Sequence, residues 1–271
     1  MERPNWAPGD IDLERPSVAR VYDYWLGGAH NFAADRAVAQ KTLETMPELR
    51  GVVLNHRAFL RRAVRYLLAQ GVRQFLDLGS GIPTVGNVHE IAQTTDPGAK
   101  VVYVDIDPVA VAHSRSLLDG NDHVSVLQAD VRDWTGVLAS DEVDKQLDFD
   151  EPVAVLMIAL LHFVSDEDDP WGIVGGYRDR LSPGGFLAVS HAGYDESDIE
   201  SDASVQARRI YDRNVTQMSF RNQAEFTSLF KGFDLVEPGV ARVPAWRPES
   251  PADVEESGKR FPGFAAIGRK T

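Results

Sequence analysis

The chain has 271 residues, 43% of them hydrophobic, which suits one large domain with a real core, or one domain with a substantial N-terminal addition. Its 28 basic and 41 acidic side chains leave a net charge of −13, a surface expected to repel nucleic acid and anionic membranes. The absence of cysteine excludes disulfides, thiolate nucleophiles and Cys-based zinc sites, while the lack of a signal core or membrane-length apolar run predicts a cytoplasmic protein.

Residues 1–16 are rich in proline and charge and are expected to lie extended on the surface. Ser17 is a suitable N-cap for a helix through Leu26, which Gly27-Gly28 would end. Asn31 and Asn55 are candidate starts of later helices. From Arg57 to Leu68 the residues Phe59, Leu60, Val64, Leu67 and Leu68 share one side, so an amphipathic helix closed by Gly71 is predicted. Arg57, Arg61, Arg62 and Arg65 then read as a solvated basic face. Residues 1–70 are expected to form a helical cap and residues 71–271 the main domain.

From residue 74, strands over 74–78, 101–105, 124–127, 153–158 and 185–190 alternate with helices over 85–94, 108–118, 134–140 and 170–181. Such alternation predicts a parallel sheet covered by helices on both faces. Ser182-Pro-Gly-Gly185 makes a turn before the fifth strand, and one or two more helices fall within 205–231. Apolar stretches at 233–243 and 264–268 are expected to pair as an antiparallel hairpin at the sheet edge. The proline-rich interval 244–262 is expected as a long loop. The predicted fold is α/β: a Rossmann-like, doubly wound, seven-stranded, mostly parallel sheet with an N-terminal helical cap.

The most telling pair of motifs is Phe75-Leu-Asp-Leu-Gly-Ser-Gly81 followed by Val101-Val-Tyr-Val-Asp-Ile-Asp107. A short apolar run entering Gly-x-Gly lets the backbone pass close to a nucleotide-like ligand. Asp105, at the end of the next run, is placed to accept from a ribose hydroxyl pair. A dinucleotide site needs a further small residue where this chain has Thr84, and Pro83 lacks the N–H that a phosphate would use. The turn therefore suits an adenosine ligand without phosphates, and S-adenosylmethionine is one. An NAD(P)-dependent oxidoreductase shares the sheet and the ribose acid but lacks support at Thr84. The plainer alternative is a tight strand-to-helix turn.

Other candidates lie at the ends of later strands. Asp130 can accept the adenine amino hydrogens beside an apolar Val131, whereas Asp133 reads as a helix N-cap. His162, after the buried run Ala154–Leu161, is a candidate general base or orienting group, or else a packed histidine; His191 invites the same two readings. Asp166-Glu-Asp-Asp169 lacks the glycine and periodicity of a calcium loop, so no metal is expected. Without a Gly-x-Ser-x-Gly elbow, Ser190, His191 and Asp195 do not make a hydrolase triad.

Together these motifs resemble the class I S-adenosylmethionine-dependent methyltransferases. More narrowly, the chain resembles a largely actinobacterial S-adenosyl methyltransferase family with poorly defined substrates. The narrower likeness rests on Ala19-Arg-Val-Tyr-Asp-Tyr-Trp-Leu-Gly-Gly28, Asn31-Phe-Ala-Ala-Asp-Arg36, Arg57-Ala-Phe-Leu-Arg-Arg-Ala-Val-Arg-Tyr66 and Gln74–Thr84. It continues through Asn87-Val-His-Glu90, Val102–Pro108, Pro152–Leu156, Leu181–Gly185, Pro238-Gly239 and Trp246-Arg-Pro248. The chain departs from that pattern at His56 and Ile106, where asparagine is usual.

The resemblance implies roles. Asp77, Gly79, Ser80 and Gly81 would flank the methionine and ribose portions, with Asp105 on the ribose hydroxyls and Ile106 against the adenine. Asp130 and Val131 would meet the adenine edge, and Ala159 and Leu160 would lie near the sulfonium. Residues 22–28 look like a lid. Arg20, Tyr24 and Asn31 become candidates for the methionine tail or the substrate, or buried anchors of the cap. The implied activity is in-line methyl transfer to an oxygen or nitrogen of a small molecule, leaving S-adenosylhomocysteine. No Asn-Pro-Pro-Tyr or Asp-Pro-Pro-Tyr follows the fourth strand, which argues against a base-amino DNA methyltransferase. A non-catalytic S-adenosylmethionine-binding protein is the alternative. Tyr22, Tyr24, Trp25, His162, His191, Tyr194 and Tyr211 are candidate pocket aromatics that would suit a planar or apolar acceptor.

Overall fold

Val101-Val-Tyr-Val and Val153-Ala-Val-Leu-Met-Ile are apolar on both faces and rich in β-branched residues, as central parallel strands must be. In the computed structural model they are such strands. The structure describes residues 9, 11–83, 86–195, 201–249 and 261–271; Thr84, most of the N-terminal extended stretch and most of the proline-rich loop lie outside them.

The strands are β1 (Gln74–Leu78), β2 (Lys100–Asp105), β3 (Val124–Gln128), β4 (Val153–Ile158), β5 (Phe186–Ala192), β6 (Phe233–Leu235), β7 (Ala241–Arg242) and β8 (Gly263–Lys270). Their order is β3-β2-β1-β4-β5-β8-β6, with β7 also on β8. The first five strands run parallel, and the last three pair antiparallel. Among the described residues the sheet has eight strands rather than the expected seven. The stretch 233–243 is split by the Pro238-Gly239 turn, where Gly239 takes φ +78° and donates to the Val236 carbonyl at 2.8 Å. Nor do the two stretches make a simple edge hairpin, because β8 lies inside the sheet between β5 and β6.

Strand alternation sorts the core into two layers. Leu76, Leu78, Val102 and Met157 face one layer, with Val137, Val143, Tyr177 and Phe226 from α6 (Trp134–Leu138), α7 (Asp141–Gln146), α8 (Pro170–Arg180) and α10 (Gln223–Ser228). Phe75, Val101 and Leu156 face the other, with Phe59, Leu67, Val88 and Val111 from α3 (Leu49–Ala69), α4 (Val88–Thr95) and α5 (Pro108–Leu117). A smaller cluster joins α1 (Val18–Trp25), α2 (Ala33–Thr45), α3 and α9 (Asp202–Asn214) through Val21, Ala39, Val53 and Tyr211.

Several local expectations are corrected. Asn31 does not open α2, whose cap position is Phe32; its side chain bonds Asp23 instead. Asn55 sits inside α3 with its Nδ2 on the Gly51 carbonyl at 2.8 Å. The helix expected over 134–140 is two short ones, the second capped by Ser140. The basic face of α3 is only partly solvated. Arg61 and Arg65 pair with Glu249 at the surface, whereas Arg62 is buried and donates to the Trp246 and Val243 carbonyls at 2.9 and 2.7 Å. Ser17 does cap α1, accepting from the Arg20 N–H.

Candidate active site

The sheet order reverses at β1, between β2 and β4, and a crevice opens beyond the carboxyl ends of such strands. β1 runs out into Gly79-Ser80-Gly81, with φ +70° at Gly79 and +67° at Gly81. Gly79 and Ser80 both donate to the Val104 carbonyl, at 2.8 and 3.1 Å, which pins the loop to β2. A Cβ on Gly79 would stand 2.6 Å from Leu160 Cδ1, so the loop passes directly under the segment that follows β4. A Cβ on Gly81 would meet nothing within 4 Å.

Asp105 ends β2 with its carboxylate accepting from Gly81 N–H at 2.7 Å and Asp107 N–H at 2.8 Å. Burial raises it to about 6 against those N–H bonds. Asp77 rises to about 7, by burial above all, with Arg57 opposing the rise and Asp105 adding to it. Asp77, Ser80 and Gly81 share a small pocket with Arg57, Asn87 and Tyr103. Ile106 stands beside Asp105 with 62% of its surface exposed.

At the end of β3, Arg132 binds the Asp130 carboxylate through Nε at 3.0 Å and Nη2 at 2.6 Å, and holds it below the usual carboxylate range. Val131 is buried, and its carbonyl accepts from the Tyr177 hydroxyl. Asp133 caps α6 by accepting from Gly136 N–H at 2.9 Å.

Residues on the α1 side are heavily bonded. Arg20 is buried against Asp35 at 3.0 Å and Asp107 at 3.8 Å, and Asn31 donates to Asp23 and to the Gly28 carbonyl. Tyr24 accepts from Gln40. Asp107 caps α5, and the Ser17 hydroxyl that caps α1 bonds the same carboxylate.

Ala159, on its other side, also lines a second space, an apolar cleft. Its wall includes Tyr22, Trp25, Phe163, Tyr211 and Phe220 together with Ala159, His56 and His162. Of the expected aromatic wall, Tyr22, Trp25, His162, Tyr194 and Tyr211 line it, whereas Tyr24 and His191 do not. Ala159 holds φ +53°, unusual for a residue with a side chain, and its N–H meets both the Ser190 carbonyl and Oγ at 3.0 and 3.1 Å. Ser190 Oγ bonds His56 Nδ1 at 2.8 Å.

The two histidines singled out in the sequence part ways. His191 is wholly buried, with Nδ1 donating to the Ala192 carbonyl and Nε2 accepting from Arg221 at 2.8 Å. Both nitrogens are used, and burial lowers it to about 3. His162 reaches the cleft, its Nδ1 accepting the Ala192 N–H at 3.3 Å. Sequence reasoning missed His56 as a member of this wall, and missed Ser190 and Arg221 as the partners that fix His56 and His191 behind it. The departure at position 56 was the available signal for the first; nothing local marks the others.

The chain matches the S-adenosyl methyltransferase family profile over residues 4–271. It belongs to the S-adenosyl methyltransferase family. A Thermobifida fusca protein crystallised as a candidate methyltransferase is 40% identical, with 99% of this chain and 100% of that chain covered and a TM-score of 0.91. A protein of the DUF574 family from Streptomyces avermitilis is 35% identical over 96% of this chain and 99% of that one, with a TM-score of 0.89. Human N-acetylserotonin methyltransferase, crystallised with S-adenosylmethionine, shares the fold at 17% identity and a TM-score of 0.50, with 95% and 63% covered. No curated protein matches.

The family's cofactor is S-adenosylmethionine, and the crevice of this methyltransferase fits it. Open space lies above Gly81, Ile106 offers an apolar face, and Pro83 leaves one N–H fewer for a phosphate. No helix among the described residues is long and apolar enough to cross a membrane.

Proposed function

We propose that this methyltransferase transfers a methyl group to an oxygen or nitrogen of a small-molecule acceptor held in the apolar cleft. The observation that carries this reading is the position of Ala159 and Leu160. Ala159 forms part of the cleft wall, while the Leu160 side chain closes over Gly79 in the crevice. The two spaces therefore adjoin at the place where methyl donor and acceptor must meet.

In this reading Asp105 takes the ribose hydroxyls, Ile106 covers the adenine, and Asp77, Gly79, Ser80 and Gly81 flank the ribose and methionine portions. Asp130 retains acceptor capacity beyond its bonds to Arg132 and takes the adenine amino hydrogens beside Val131. Residues 1–70 act as the cap, from which Arg20, Tyr24 and Asn31 serve the methionine tail or the substrate; the bonds of Arg20 to Asp35 and Asn31 to Asp23 set the geometry of that cover. The bound cofactor supplies an activated methyl on a sulfonium. The protein's task is to hold the nucleophile about 3 Å from that carbon and in line with the bond to sulfur. The net charge of −13 favours a small molecule over nucleic acid, and the composition suits a cytoplasmic setting.

Calorimetry with S-adenosylmethionine, S-adenosylhomocysteine and NADH tests the cofactor assignment. The first two bind, NADH does not, and Asp105→Ala weakens them more than tenfold, since a charge-assisted hydrogen bond is worth about 1.5–3 kcal/mol. Unchanged affinity in the variant removes Asp105 from the site. S-adenosylhomocysteine formation with an acceptor panel then separates an enzyme from a cofactor-binding protein.

A further inference from the structure

The cleft differs from the surface around it. The chain carries 41 acidic side chains, yet among the described residues lining the cleft there is no Asp or Glu, and Arg208 is the charged one. Arg221, a buried cation paired with Asp166 at 2.6 Å, lies within electrostatic reach of His162. A wall that is apolar and free of carboxylates accommodates a flat apolar ring bearing negative charge more readily than a cationic amine.

Two histidines and a tyrosine of that wall present hydrogen-bond donors. Ser190 Oγ is wholly buried and already accepts the Ala159 N–H, so its own proton goes to His56 Nδ1. His56 Nε2 therefore carries the ring proton. In His162 the Nδ1 accepts from a backbone N–H, which can only donate, so its Nε2 carries the proton as well. Burial lowers His56 to about 4 and His162 well below its ordinary value, and both rings are neutral. The Tyr211 hydroxyl, also in the cleft wall, is buried with no hydrogen-bond partner among the described residues. Burial pushes its ionisation upward, so it too is a donor.

We infer that the acceptor is a planar apolar compound that enters already ionised, as a phenolate or enolate, with its oxyanion held by the Nε2–H groups of His56 and His162. This rests on the placement of the acceptor in the cleft. The oxyanion's lone pair forms the new O–C bond, the C–S bond breaks with its electron pair retained by sulfur, and no proton remains for the protein to remove. His56 and His162 are then donors rather than general bases, and Ser190 is a positioning residue that fixes the His56 tautomer.

The test uses the full chain loaded with S-adenosylhomocysteine and titrated with para-nitrophenol at a series of pH values, reading the visible band of the nitrophenolate. The bound ring ionises about one pH unit below the free one, because donors stabilise the anion by an amount of that order. His56→Phe and His162→Phe each reduce the shift. Ser190→Ala keeps the ring but frees its tautomer, and reduces the shift less; it serves where a histidine variant fails to fold by circular dichroism. Ionisation at or above the pH of the free phenol overturns the inference, as does absence of binding. Calorimetry with S-adenosylhomocysteine on the same samples reads the crevice separately, so a failure of the cofactor assignment and a failure of the oxyanion inference give different results.

Discussion

Gly79 and Gly81 have similar backbones and opposite surroundings, and substitution separates what each does. At both, a side chain in the left-handed region costs about 1–2 kcal/mol. At Gly79 the new Cβ also strikes Leu160, so Gly79→Ala lowers the melting temperature further and displaces the segment after β4. At Gly81 the Cβ points into open space, where the proposed ligand lies. Gly81→Ala is therefore expected to lose S-adenosylhomocysteine affinity out of proportion to its stability loss. Thermal melts and calorimetry on the two variants decide; equal ratios would refute the distinction. Both glycines are legible in the sequence because a turn after an apolar run demands them. The Ser190–His56 bond spans 134 positions, and no local pattern announces such a pair.

At the scale of elements, α3 shows where periodicity succeeds and where it stops. Phe59, Leu60, Val64, Leu67 and Leu68 face the core as their spacing requires. Arg62 falls on the polar side by the same spacing, yet two carbonyls from 181 and 184 positions away bury it. Arg62→Ala leaves both carbonyls without their donor in a buried setting, at about 1–3 kcal/mol for each. Urea denaturation is expected to show a loss of several kcal/mol, whereas Arg61→Ala, exposed beside Glu249, changes little. A loss of similar size in both would count against the tether. The strand count illustrates the same limit: Pro238-Gly239 inside an apolar stretch makes two short strands of one. The parallel direction of β1 to β5, by contrast, follows from alternation.

The whole molecule couples folding to pH through buried groups of opposite sign. Asp77 binds its proton up to about pH 7 in the folded chain but releases it near pH 4 when unfolded, so its contribution is present in acid and lost as pH rises through that interval. His56 works the other way. Unfolded, it takes a proton near pH 6.5; folded, it resists until about 4, so its contribution is lost as pH falls through that window. Asp77→Asn is expected to gain on the wild type between about pH 4 and 7, by up to a few kcal/mol, and His56→Gln to gain on it as pH falls from about 6.5. Melting temperatures across this range test both signs; parallel curves would show that neither group titrates differently on folding. None of this was legible beforehand, because burial of a particular carboxylate depends on the assembled crevice.

Asp107 is where the N-terminal helices and the crevice share one atom group. Its carboxylate caps α5, bonds the Ser17 hydroxyl at the start of α1 and faces Arg20, while its N–H is held by Asp105. Transient opening of α1 must therefore disturb the floor on which the ribose is proposed to rest. A ligand that binds the closed floor alone suppresses that opening in proportion to its saturation. Amide hydrogens of α1 are expected to exchange more slowly with S-adenosylhomocysteine bound, and those of α10, on the opposite layer, to keep their rates. The first turn of α1 would thus act as a built-in reporter of cofactor occupancy.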